Sequence, residues 1–288
     1  MRHTDGRQLE LFTIVPNVGD VRSKQVRDLM SFGLFSISNR SKKEIHHSQG
    51  DAFISVSAKT GASIASQHDN DILIFIISYL VHSLNKGEKV GRKVFFTANE
   101  FFRFTGREHI GGTRYEQIWN ALMRLQDTMV HTNIDISNGN TLESRWTFLP
   151  EIHRIKSNQS GKSLGFEVVL AEQLYKSIAQ DNPRVLTLHR DYFSLRSGFA
   201  KFLYLYGRKA AGNDYKEWIA TEHLLHSRSG SSLSLLDFRK MLKAVVDKGD
   251  LLDYEMRHAY IGSERAVAFR KKKTALQKHY RSTLILER

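Results

Sequence analysis

Apolar residues recur at helical spacing in one stretch near the middle of the chain: Ile118, Ala121, Leu122, Leu125 and Met129. That period buries one helix face and leaves Gln117, Asn120, Met123, Arg124 and Asp127 on the other, with Arg114 and Tyr115 at the first turn. Thr113 and Glu116 stand at capping-box spacing, which predicts a helix over 113–127. A shorter helix is expected just upstream, over 98–104, behind Thr97 as its N-cap. Gly106, Gly111 and Gly112 supply the turn between them. Strand-like runs at 130–136 and 145–149 flank Ser137-Asn138-Gly139-Asn140 and predict a hairpin. Helix, turn, helix and hairpin make a winged-helix plan, in which Arg, Asn and Gln on the open face can read base edges in the major groove.

The same pattern recurs more faintly in the second half. A long helix is expected over 189–211, with Phe193, Phe199, Phe202, Leu203 and Tyr206 as its apolar contacts. Trp218-Ile219-Ala220 leads into a short helix capped by Thr221. Ser234 caps a further helix to about Lys248, with Leu235, Phe238, Met241, Leu242 and Val245 inward and Arg239, Lys240 and Lys243 outward. Runs at 251–258 and 265–270 form a second hairpin around Gly262-Ser263-Glu264. The two Thr-capped helices lie roughly 120 residues apart, which points to a structural duplication. The expected fold class is therefore α+β, with two tandem winged-helix domains at 31–183 and 184–275. A flexible tail is expected at 1–30 and a basic tail at 276–288, with Asp181-Asn182-Pro183 marking the boundary.

Other segments complete the plan. Phe32–Ser38 and Ala52–Ala58 alternate and predict a hairpin whose loop holds His46 and His47. Adjacent His residues on a strand would point to opposite faces, unlike a nuclease pair, so a solvated loop is expected and no metal site. Asp69-Asn70-Asp71 opens an apolar helix to about Lys86, the two carboxylates serving as cap and dipole partner. Its apolar run is shorter than the roughly 20 residues of a bilayer span, which makes it a core helix and argues against membrane attachment.

Charge narrows the partner. Lys and Arg number 43 and Asp and Glu 30, a net charge of +13 that favours a polyanion. The chain has no cysteine and its first residues show no signal-peptide core, which suits the cytoplasm. No Gly-x-x-x-x-Gly-Lys-Ser/Thr loop occurs, so neither ATP nor any other cofactor is expected. Salt-dependent phosphate contact is assigned to Lys162, Arg208, Lys209, Arg270, Lys271, Lys272 and Lys273. Base reading is assigned to Arg114, Gln117, Asn120 and Arg124 in the first helix, where Tyr115 is a further DNA-binding residue, and to Arg239, Lys240 and Lys243 in the second. The partner is double-stranded DNA, RNA being disfavoured by the lack of aromatic platforms on strands.

Gln8-Leu9-Glu10-Leu11-Phe12 resembles the Gln-Leu-x-Leu-Phe peptide by which many bacterial replication proteins dock on the DNA polymerase sliding clamp. Leu11 and Phe12 would enter an apolar groove while Gln8 and Leu9 set the approach. Further stretches carry a wider likeness: Phe32-Gly-Leu-Phe-Ser-Ile-Ser, Gly61-Ala-Ser-Ile-Ala through Asp69-Asn-Asp-Ile-Leu-Ile, and Phe96-Thr97. Gly111-Gly-Thr-Arg-Tyr, Leu122-Met-Arg-Leu-Gln-Asp-Thr, Asp237-Phe238-Arg239 and Gly249-Asp-Leu-Leu-Asp-Tyr complete it. Over about residues 8–270 the chain resembles the plasmid replication initiator protein A family, within the winged-helix plasmid initiators. Leu252 departs from it, standing where proline is expected. The resemblance implies tandem winged helices on repeated sites of a plasmid origin, opening of nearby duplex and recruitment of host replication proteins. It also brings in a homodimer, since related initiators often repress as dimers and initiate as monomers. A transcription regulator of the same architecture is the alternative. A nuclease or primase would need clustered carboxylates or His residues for metal, and Asp69 and Asp71 are the closest acidic pair.

Overall fold

The computed structural model describes residues 13–14, 21–30, 32–38, 44–107, 112–134, 141–159, 161, 163–180, 183–212 and 216–273. The short strands β1 (Thr13–Ile14) and β2 (Lys24–Val26) precede a hairpin of β3 (Ile45–Gln49) and β4 (Ala52–Ala58). Next come helix α1 (Asn70–Asn85), strand β5 (Lys93–Phe96), and helices α2 (Ala98–Phe104) and α3 (Gly112–Asp127). Two hairpins follow, β6 (Thr128–Ile134) with β7 (Thr141–Thr147) and β8 (Glu151–Lys156) with β9 (Ser163–Val169). Helix α4 (Glu172–Ala179) and strand β10 (Val185–Thr187) lead to the second half. That half holds α5 (Gly198–Ala210), β11 (Trp218–Thr221), α6 (Glu222–Arg228), α7 (Leu235–Val246), β12 (Asp250–Leu251), β13 (Tyr254–Ile261) and β14 (Glu264–Lys271).

The two halves repeat one topology. In each, a long helix is followed by a strand, a short helix, a second helix and a hairpin. The strand orders correspond: β5-β9-β8 in the first half and β11-β14-β13 in the second, where the opening strand pairs with the hairpin's far strand. The hairpin β6–β7, which the sequence places as the partner of the reading helix, belongs elsewhere. It joins β3 and β4 in a separate sheet of order β3-β4-β6-β7 and is inserted between α3 and its structural hairpin β8–β9.

Several further expectations give way to tertiary packing. His46 and His47 lie on β3 rather than in a loop, and β3, not 32–38, pairs with β4. Alternation still separates them: His46 meets Glu44 in solvent at 3.0 Å, while His47 turns inward toward the Phe32 ring. Residues 32–38 make only a bridge, Ser36 to Ser66. Helix α3 starts at Gly112, so Thr113 is inside it and not its cap, and Met129 lies on β6. The helix expected from His189 starts only at Gly198, after a 3-10 turn at Tyr192–Ser194. Asp69 gives no side-chain cap to α1. Residues Lys24–Met30, counted with a tail, are in the fold, with Val26, Leu29 and Met30 buried.

Helix α1 is buried almost all round, as its uniform apolar run requires. It sits where two cores meet. Ile72, Phe75 and Tyr79 belong to the first core, while Ile74 packs into the second beside Met30, Leu188 and Phe202. Phe104 packs against both. Strand β10 pairs with β2, a further tie between distant parts of the chain. The seam is also steric. A Cβ on Gly33 would lie 2.4 Å from the carbonyl oxygen of Arg228, and one on Gly230 would lie 2.8 Å from that of Phe35. Backbone 32–35 therefore runs directly against the turn between α6 and α7.

At the seam is a cluster of buried charges. The Lys201 ammonium of α5 donates to both oxygens of Asp71 in α1, at 2.7 and 3.0 Å, and both side chains are fully buried. Arg107 donates to the same carboxylate at 2.9 Å. Burial pulls the Lys201 pKa below the ordinary lysine range, with Asp71 opposing the shift.

Candidate nucleic-acid interface

Each half presents its second short-range helix pair beside a groove. In the first, Thr97 closes a full capping box with Glu100, so α2 starts where the sequence predicts. Ile118, Ala121, Leu122 and Leu125 of α3 are buried against the core, and Trp119 stacks on Phe166 of β9. The polar side of α3 then brings Arg114, Gln117, Asn120 and Arg124 together along one groove of about 440 Å³. Its other wall comes from His68, Asp69 and Ile72 near the start of α1 and from Phe101 and Phe102 of α2. Gln117 and Asn120 are exposed; Arg114 is half-buried, its guanidinium 5.7 Å from the Phe102 ring centre. Tyr115 packs on the core and does not line the groove.

Arg124 has a different role from the one its position suggests. Its Nε and a terminal nitrogen donate to the two oxygens of Asp69, at 2.9 and 2.7 Å, and Asp69 is 2% exposed. The fork-to-fork pair raises the Arg124 pKa further. Asp69 also accepts from the backbone and hydroxyl of Ser66. Arg124 thus braces α3 onto the approach to α1, and Arg114, Gln117 and Asn120 are the polar groove residues of α3 not held in such a pair among the described residues. Arg154 of β8 meets Glu116 at 2.6 Å and ties the first hairpin to α3.

In the second half, Thr221 caps α6 and Ser234 caps α7 through their hydroxyl oxygens. Phe238, Leu242 and Val246 face the core, whereas Met241 and Leu236 are exposed, so the buried stripe is narrower than the sequence implies. Arg239, Lys240 and Lys243 line a groove of about 410 Å³ between α7 and the β13–β14 hairpin. Arg239 donates from Nε to buried Glu222 at 2.8 Å, leaving its terminal nitrogens without a further partner among the described residues. Among the described residues Lys240 and Lys243 pair with exposed Asp237 and Asp247. The hairpin adds His258, Tyr260 and Arg265 to the groove. Sequence reasoning passed over these three. Alternation alone would hide them, since His258 and Tyr260 share a strand face with buried Tyr254 and Met256; they are exposed because the outer half of β13 runs past the core.

The phosphate-contact candidates scatter. Arg208 is buried at 8% exposure and donates to the Thr187 carbonyl at 2.8 Å, so it is a structural residue rather than a surface contact. Lys209 is half-buried over the Phe32 ring, and burial lowers its pKa. Arg270 is exposed and paired with Glu255 at 2.7 Å. Lys272 donates to the Leu252 carbonyl at 2.6 Å, and Lys271 and Lys273 lie beside it at the end of β14. Lys162 and the peptide Gln8, Leu9, Leu11 and Phe12 lie outside the described residues. Among the described residues no group of three or more His, Asp or Glu side chains is arranged to hold a metal, and no helix is long and apolar enough to cross a membrane.

Comparison with known proteins assigns this architecture. The replication initiator protein A family matches residues 24–256. A putative replication protein of Wigglesworthia glossinidia brevipalpis is 33% identical over 232 residues, covering 80% of this chain and 82% of that protein. Among solved structures, selenomethionine derivatives of domains 2 and 3 of RctB align with a TM-score of 0.60 at 12% identity, over 87% of this chain and 99% of that chain. A second RctB structure of domains 2–3 aligns with a TM-score of 0.52 at 12% identity, over 81% and 92%. At such identity the RctB likeness is one of fold alone. The match across most of the chain and the identity to a replication protein together make this chain a member of the replication initiator protein A family.

Proposed function

We propose that this initiator binds double-stranded DNA sequence-specifically, at repeated sites of a plasmid origin, through two tandem winged helices. The observation that carries this is the repeated topology: helix, strand, capped helix, second helix and hairpin, with the same strand order in both halves. In this reading α3 and α7 are the recognition helices and β8–β9 and β13–β14 the wings. The domains divide near 183, as the sequence suggests, and are joined through the α1 seam. Two helices on one chain can enter successive major-groove faces, so one protomer covers about two helical turns.

Forces divide between the parts. Basic side chains along the surface supply affinity through counterion release, and this affinity falls steeply with salt. Arg114, Gln117 and Asn120 in α3 and Arg239, Lys240 and Lys243 in α7 supply base contacts, each good bidentate pair giving about 1–3 kcal/mol of discrimination. The protein acts without catalysis or cofactor. Duplex opening follows from DNA bending and from partners rather than from nucleotide hydrolysis. The Gln8–Phe12 peptide docks on the bacterial sliding clamp and helps recruit other host replication proteins, in the cytoplasm on plasmid DNA. A homodimer holds the repressing form.

The test is selection of bound DNA from a random pool by the full chain and by Arg114→Ala and Arg239→Ala. The expected result is that each variant relaxes preference at different base positions. If neither changes base preference, the recognition-helix reading fails. Deleting 8–12 while DNA affinity is kept should impair plasmid maintenance; unimpaired maintenance removes the clamp role alone.

A further inference from the structure

A second basic surface lies at the junction of the halves. The turn after α2, Thr105–Arg107, and the segment 190–196 before α5 face each other across a cleft of about 650 Å³. Its floor is aromatic: Phe104 and Phe193 meet edge to face at 5.4 Å, and Phe104 seals both cores beneath. Its rim carries Arg103, Arg107, Arg190 and Arg196 with His68, against the single carboxylate of Asp191. Asp191 already lies 3.5 Å from Arg190. Arg103 and Arg196 are exposed, and neither enters an ion pair among the described residues. With Arg107 held by Asp71 and Arg190 beside Asp191, Arg103 and Arg196 leave the rim an excess of positive charge, which suits an anion.

The buried ion cluster fixes the shape of this rim. Asp71 holds Arg107 at 2.9 Å and is itself held by Lys201 from α5. One carboxylate therefore sets α1, the turn after α2 and the start of the second half at fixed spacing. Burying such a cluster is a poor source of stability, because desolvation offsets the attraction. It does position Arg107 at the mouth of the cleft.

The cleft also continues the α3 groove. His68 and Arg107 line both, so the groove of Arg114, Gln117 and Asn120 and the cleft of Arg103 and Arg196 share a wall. We propose that the junction cleft seats the phosphodiester backbone of the duplex whose bases α3 reads. This rests on the reading of α3 as a recognition helix. Guanidinium groups suit the task, since their planar forks match phosphate oxygens. A single strand is a poorer fit, because it needs open ring faces for its bases. Phe104 and Phe193 are half-buried, and their rings meet Phe75, Tyr192 and the Lys201 ammonium.

The test uses the full chain carrying Arg103→Ala and Arg196→Ala together, with a random-sequence duplex of about three helical turns and a single strand of equal length as probes. Neither residue pairs within the described fold, so thermal unfolding is expected to be unchanged. The slope of log affinity against log salt on the duplex should shrink by about 2, at roughly 0.9 per lost phosphate contact, with affinity down on the order of tenfold. Arg103→Lys with Arg196→Lys should keep the slope. An unchanged duplex slope in the folded double variant, or a loss confined to the single strand, overturns the inference. Selection with Arg114→Ala runs alongside. Altered base preference there together with an unchanged slope defeats the cleft alone. Unaltered base preference defeats the reading of α3 and the cleft proposal with it.

Discussion

Helices α3 and α7 occupy equivalent places in the repeated topology, yet their polar sides are built differently. On α3, Arg124 is locked to nearly buried Asp69, Arg114 leans over Phe102, and the groove is walled by α1 and α2. On α7, Leu236 is 64% exposed and Lys240 and Lys243 reach into solvent, with only exposed carboxylates as partners. Between α7 and its hairpin lies only the two-residue β12, whereas the long hairpin β6–β7 intervenes between α3 and β8–β9. An equivalent position in a duplicated topology therefore does not fix a residue's role. Both arginines meet a buried carboxylate, Arg124 through two nitrogens on Asp69 and Arg239 through Nε alone on Glu222, and the number of donors engaged sets how much of each is left for a ligand.

The largest expected effect falls on the seam that both helices share. Lys201→Met leaves Asp71 buried without its ammonium and should lower unfolding free energy by about 3–5 kcal/mol in urea titration. Adding Asp71→Asn should recover part of that loss, since the buried side chain is then neutral, with Arg107 giving up its ion partner in exchange. A loss below about 1 kcal/mol would mean that water already reaches the cluster.

The seam should also respond to acid. Burial, with Arg228 nearby, pushes the His47 pKa down to about 4, from the ordinary value near 6.5. The folded chain thus holds His47 neutral where the unfolded chain takes up a proton. Its contribution is complete above pH 6.5 and is lost as pH falls from there toward 4, by about 3 kcal/mol at most. Urea unfolding at pH 7 and 4.5 should show His47→Gln less acid-sensitive than the parent chain. Equal sensitivity would assign the acid response to other groups.

Next come the two arginines that define the contrast. Arg124→Ala should cost about 1–3 kcal/mol of stability, because it strands Asp69. Arg239→Ala leaves buried Glu222 without its Nε donor, so it should also cost about 1–3 kcal/mol of stability, and in addition about 1–3 kcal/mol of base discrimination. Differential scanning calorimetry should show both losses, and competition binding separates the two: base discrimination lost with Arg124→Ala and kept with Arg239→Ala would exchange the roles assigned to these residues. The smallest effect belongs to Lys240→Gln, which should change thermal stability by under about 0.5 kcal/mol, as for an exposed pair, and cost about 1 kcal/mol of base discrimination.

What the sequence made legible follows from range. Thr97, Thr221 and Ser234 announce helix starts because a cap is a contact within three residues. The apolar run at 72–77 announces α1 because uniform burial needs no partner to be named. Long-range facts were hidden. That 145–149 would serve the sheet of β3 and β4, while 163–169 closes the first hairpin, depends on register across the chain. Arg124 and Arg208 look like free surface charges until Asp69 and the Thr187 carbonyl arrive from 55 and 21 residues away. Leu252 shows the converse. It replaces a proline expected from the family pattern and adopts φ of 55°, a left-handed conformation that a proline ring excludes.

The central claim, two reading helices on one chain, is tested most directly by hydroxyl-radical footprinting of an origin repeat with wild type, Arg114→Ala and Arg239→Ala. Two protected segments about one helical turn apart are expected, with Arg114→Ala weakening one and Arg239→Ala the other. A single protected segment that both variants weaken together would contradict it.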